Sequence, residues 1–151
     1  MKKITTLIAI MVAVGLGIFT TTEVIAKMRM GGGGWGQDTN YNRFYNPQTV
    51  ETISGEVISV DKIIPIRGMN PGVHVVVKTD KETISVHLGP EWYIKNQDMN
   101  INPKDKIEVK GSRISFENKP AIIAAEIKKS DEILTLRNES GFPAWSGWRH
   151  K

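Results

Sequence analysis

A small all-β barrel is the fold class that this 151-residue sequence predicts, and three observations predict it. From Thr49 onward, short runs rich in Val and Ile are bounded by Gly, Pro, Asn and Asp at close spacing. Val73 to Lys78 and Thr83 to Leu88 alternate apolar and polar residues around Thr79-Asp80-Lys81-Glu82, the pattern of a β-hairpin. Only one stretch, Pro90 to Asn96, suits a helix, with Pro at the first turn.

The elements follow in order. The first strand spans about Val50 to Ile64, with Ile53, Gly55 and Val57 on one face; the apolar phase then slips to Val60, as a bulge beside a close backbone approach produces. The second and third strands form the hairpin. The short helix carries Trp92 and Tyr93, whose expected role is to plug one barrel end. Ile107, Val109 and Gly111 alternate with charged residues and mark a fourth strand. Ala121 to Ile127 is apolar on both faces as far as Ala125 and marks a fifth. The order β-β-β-α-β-β is that of a five-stranded, OB-fold-like Greek-key barrel, expected over residues 49–136.

Two segments precede the barrel. Lys2 and Lys3 followed by an apolar run from Ile4 to Phe19 and the ending Val24-Ile25-Ala26 read as a signal peptide, residues 1–26, cleaved after Ala26. The run is shorter than the ~20 residues of a membrane span, so the mature chain is expected in the periplasm or secreted, without a stable span; an uncleaved anchor is the alternative. Residues 27–48, with glycine from Gly31 to Gly34 and no hydrophobic period, read as a flexible leader. Residues 137–151 form a Trp-containing tail.

The phrase Ile53-Ser54-Gly55-Glu56-Val57 and the strand Asp105 to Ser112 resemble the bacterial OB-fold family of small periplasmic proteins, at the level of fold over roughly residues 50–129. That resemblance implies a periplasmic binding or stress-related role and supplies no catalytic residues. The tail Leu136 to Trp148 resembles the end of small secreted bacterial proteins, some of which carry a generic DNA-binding label.

Composition narrows function. Zero cysteines exclude disulfides, thiolate metal sites and a cysteine nucleophile. The net charge of +4 is concentrated at the ends, in Lys27, Arg29 and Arg43 and again in Arg137, Arg149 and Lys151, so the barrel lacks the one-signed field that attracts nucleic acid. No phosphate-binding loop, G-x-S-x-G elbow or H-E-x-x-H is present, and Ser85 and His87 merely share a strand face, so no enzyme is expected.

The hairpin register yields the sharpest local expectation. A loop centred on Asp80-Lys81 pairs Val77 with Ile84, Val75 with Val86 and Val73 with Leu88 on one face, and sets His74 opposite His87 on the other. Opposed Cβ atoms lie about 5 Å apart, close enough for two imidazoles to hold Zn²⁺, Ni²⁺ or Cu²⁺, although two solvated surface histidines are the plainer reading. Met28 and Met30 offer soft donors for copper. No cofactor is otherwise implied.

Strands two and three carry no aromatic residue for stacking bases. The candidate ligand or partner contacts are Trp92, Tyr93, Trp145 and Trp148, although packing of the two tail tryptophans on the barrel is the expected role, because they would otherwise expose a large apolar patch. The expected function is a noncatalytic periplasmic module for a small ligand, metal ion or envelope protein. The alternative is an OB-fold nucleic-acid binder that uses its basic tails.

Overall fold

A computed structural model of the chain describes residues 32–146. The chain divides into two units, 1–33 and 34–151, and the barrel belongs to the second. The expected signal peptide, Met28, Met30 and Trp148 lie outside the described residues. Among the described residues no helix is long and apolar enough to cross a membrane.

The strands are β1 (Val50–Ile63), β2 (Gly72–Lys78), β3 (Thr83–Pro90), β4 (Lys106–Phe116), β5 (Lys119–Lys129) and β6 (Glu132–Thr135), with the helix α1 (Glu91–Ile94) between β3 and β4. β1 pairs with β4 through Val50 to Glu56 and with β2 through Glu56 to Ile63, both antiparallel. One strand can serve two partners only by bending. At the bend, a Cβ on Gly55 would collide with the Lys78 carbonyl and the Val77 side chain, so glycine is required by the approach of β2. The expected phase slip is a bulge between Val57 and Ser59. Val57 stays in the core while its backbone exchanges hydrogen bonds with Asp105 and Lys104 in the turn before β4.

The β2–β3 turn is tied by Thr79, whose hydroxyl accepts from the Lys81 and Glu82 amides at 3.1 and 3.0 Å. Val77 opposes Ile84, Val75 opposes Val86 and His74 opposes His87, as the alternation predicts. The expected Val73–Leu88 pair is replaced: a register shift sets Val73 opposite Gly89. β4 and β5 are joined by Glu117 and Asn118, both at positive φ, as a two-residue I′-type hairpin requires.

A parallel pairing of Ser85, Val86 and His87 with Ala121, Ile122 and Ile123 closes the barrel in the order β1-β2-β3-β5-β4. Among the described residues the fold is thus a closed five-stranded β-barrel with one short helix, extended by β6, which pairs with β5. Val75, Val77, Val86, Val109, Ile122 and Ile127 form the fully buried interior. Their burial is the main stabilising term, at about 25 cal/mol per Å² of apolar surface removed from water.

For residues 34–48 the structure corrects the expectation of a flexible leader. Short 3-10 turns at Asn42–Phe44 and Pro47–Thr49 lead into β1, and Trp35, Tyr41 and Tyr45 are buried in the core. Aromatic anchoring here replaces the periodic pattern by which regular elements are recognised.

Candidate functional site

The hairpin register puts His74 and His87 on the outer face of the barrel, where solvent was expected. Only His74 remains partly exposed; His87 is 0% exposed. Tyr41 lies over it, with the rings stacked at 6.0 Å and the Tyr41 hydroxyl 2.9 Å from His87 Nδ1. Phe116 meets the ring edge-on at 5.0 Å. Burial, then the nearby His74 and Arg137, pull the His87 pKa from 6.5 down to about 4. The downward direction follows the pairing of the two imidazoles, but burial is the larger cause.

The two imidazoles are 6.2 Å apart between centroids and perpendicular, and each Nδ1 is engaged, His74 by Ser85 Oγ at 2.8 Å and His87 by Tyr41. Ser85 therefore meets the histidine across the hairpin rather than the one on its own strand. Among the described residues no three His, Cys, Asp or Glu side chains gather at one point. A metal held by His74 and His87 would have to displace Tyr41 or Ser85 or use the Nε2 atoms, with donors from elsewhere.

The cover over this face is an aromatic cluster assembled from segments before β1 and after β6. Trp35 is 1% exposed, meets Tyr41 edge-on at 4.8 Å and donates from Nε1 to the Asn70 carbonyl at 2.8 Å. Trp145, 3% exposed, donates to the Trp35 carbonyl at 2.7 Å and packs on Tyr93 at 5.3 Å. Gly72 and Gly89 make room for the two indoles, since a Cβ at either would strike a tryptophan ring. Of the aromatics expected to contact a ligand or partner, Tyr93 and Trp145 are buried in this packing, and Trp92 is half-buried against the core. For Tyr93 and Trp145 this is the packing role that competed with ligand contact and was expected to prevail, since burying a large aromatic ring removes much apolar surface from water.

Arg137, expected in a basic tail, is 3% exposed. Asn138 turns the chain by accepting from the Ser140 and Phe142 amides, and this returns Trp145 to the barrel with its ring 4.8 Å from the Arg137 guanidinium. Arg137 Nη1 donates to the Leu88 and Ala124 carbonyls, on β3 and β5, at 3.2 and 2.6 Å. No carboxylate among the described residues is in ion-pair reach of it. Burial pushes its pKa down to about 10, against the opposing pull of Tyr41 and Tyr45. In sequence it is one cation among several near the C-terminus, and no local pattern distinguishes it.

Another part of the barrel surface is open. A groove of about 600 Å³ crosses β1, β4 and β5, lined by Ser54, Gly55, Glu56, Lys106, Ile107, Glu108, Lys128 and Ser130. Strand register sets Glu56 opposite Lys106 and Glu108 opposite Lys128, so the signs alternate across it.

Fold and surface together define a small closed β-barrel with one face sealed by aromatic residues and a polar groove on another. The chain belongs to the MamS/MamX magnetosome protein family, whose model matches residues 49–134. That span covers the barrel and stops short of Trp35, Tyr41, Arg137 and Trp145, which build the seal. No curated protein matches the chain.

Proposed function

We propose that the chain is a noncatalytic binding module of the magnetosome family, exported to the periplasm, that docks a protein partner through the groove over β1, β4 and β5. The observation that carries this reading is the division of the surface. The hairpin face, where an OB-fold presents stacking aromatics, is occupied by the chain's own Tyr41, while the groove is open and charge-balanced. Interspersed Lys and Glu suit the polar backbone and mixed side chains of a protein surface better than a polyanion. The resemblance to secreted bacterial OB-fold proteins and the N-terminal apolar run support export.

A photocrosslinking residue at Ser54 or Lys128, expressed in the native host, is expected to capture one discrete protein that the same residue at Thr135 does not. Equal capture from all three positions, or none from the groove, overturns the assignment. Intact-mass measurement of periplasmic material is expected to show a chain beginning at Lys27; recovery of the whole chain from membranes replaces export with anchoring. For the nucleic-acid alternative, anisotropy with labelled oligonucleotides is expected to show weak binding that falls steeply with salt. Base-selective binding at physiological salt would reverse the choice.

A further inference from the structure

We propose that the Nε–Nη2 edge of Arg137 is a binding site for one small oxyanion, a carboxylate or an inorganic anion of similar size, enclosed between β3, β5 and the segment that carries Tyr41. The chain contains its own template for this chemistry. Arg113 grips Glu51 with the same edge, Nε to one carboxylate oxygen at 2.8 Å and Nη2 to the other at 3.0 Å. In Arg137 those same two nitrogens are buried and have no partner among the described residues, while Nη1 is committed to the Leu88 and Ala124 carbonyls. The free donors therefore form one contiguous fork rather than scattered N–H groups.

Three further features favour an anion over a neutral occupant. Trp145 covers the guanidinium, and two carbonyls hold its far end, so the fork is fixed in direction before any ligand arrives. His87 Nε2, on a residue that Arg137 affects electrostatically, is a second buried polar atom without a partner among the described residues. The surrounding titratable groups, Tyr41, Tyr45 and His87, are neutral at neutral pH, since burial raises the phenols and lowers the imidazole, so none supplies the guanidinium with a counter-charge. A guanidinium withdrawn from water without a counter-charge is costly, and an anion on the fork offsets that cost where a water molecule does not. Arg137 is 3% exposed, so the fork suits a few-atom ligand rather than a polymer. It is separate from the groove, and neither assignment depends on the other.

The test is thermal unfolding of the full chain in formate, nitrate or phosphate at constant ionic strength set with sodium chloride. At least one anion is expected to raise Tm by several degrees in a saturable manner. Formate alone points to a carboxylate ligand, and phosphate alone to a phosphoryl or inorganic one. Arg137→Lys keeps the charge but lacks the fork and is expected to abolish the response, whereas Arg113→Lys is expected to retain it. Because an Arg137 variant can fail to fold, the wild-type Nε–H resonance of Arg137 supplies a second reading. It is expected to shift along a saturable curve as the same anion is added. A Tm and a resonance both indifferent to every anion, or a response lost equally in the Arg113 variant, overturns the proposal.

Discussion

Two arginines on the same small barrel meet opposite fates. Arg113 lies at the surface between Glu51 and Glu82, with 31% of its side chain exposed and carboxylates on both sides. Both glutamates are held below the ordinary carboxylate range, first by hydrogen bonds from Arg113. Among the described residues Arg137 has no acid beside it and instead ties the backbones of β3 and β5 under Trp145. The difference shows that charge pairing does not measure structural importance. The exposed triad is screened by water, whereas the buried cation holds two strands where few other donors can reach.

Removing the cover over Arg137 has the largest expected effect. Trp145→Ala is expected to destabilise the fold by ~3–5 kcal/mol in urea unfolding, because it opens a cavity over Arg137 and breaks the bond to the Trp35 carbonyl. Arg137→Ala should follow at ~3 kcal/mol, since the Leu88 and Ala124 carbonyls lose their donor. A loss no larger than that of Arg113→Ala would break the distinction between the two arginines.

Acid separates the two regions by pH window. The His87 pKa is lowered in the folded state, to about 4 from 6.5, so its contribution is complete above pH 6.5 and is lost as pH falls toward 4. The slope reaches about 1.4 kcal/mol per pH unit, for a total on the order of 3 kcal/mol. Glu51 and Glu82 are also lowered, so the Arg113 triad contributes above the unfolded carboxylate pKa and loses its contribution only below it. Between pH 6.5 and about 4.5, therefore, the fall in Tm belongs to the sealed face. His87→Gln is expected to flatten that part of the profile and leave the steeper acid limb, and an unchanged profile would remove His87 from the account. The smallest effect is expected from Arg113→Ala, at most ~1 kcal/mol and shrinking with added salt, as urea titrations at low and high ionic strength would show.

The hairpin was legible because it is one-sided. Val75, Val77, Ile84 and Val86 repeat every second residue, and a slip by one would turn them all to the wrong face, so the pattern dictates the register. The bend at Gly55 was legible for a related reason, since an apolar phase that changes within a strand requires a bulge. The register shift at Val73 was not, because the alternation places Val73 opposite Leu88 and carries no mark of the shift that sets it opposite Gly89. Trp35, Tyr41 and Tyr45 were read as leader because isolated aromatics in short turns carry no period. Arg137 was read as tail because its partners are backbone carbonyls, which every residue possesses.

What the sequence by itself determined is the barrel: strand order, hairpin pairing, the place of the helix and the opposition of His74 to His87 all follow from local alternation and turn chemistry. What only the tertiary structure decided is which outer face stays open. Tyr41 reaches His87 across 46 positions and Trp145 reaches Trp35 across 110. Contacts of that separation depend on the closed barrel bringing the segments that carry Trp35 and Trp145 to one side, and alternation within a strand records only which residues share a face, not what will cover it.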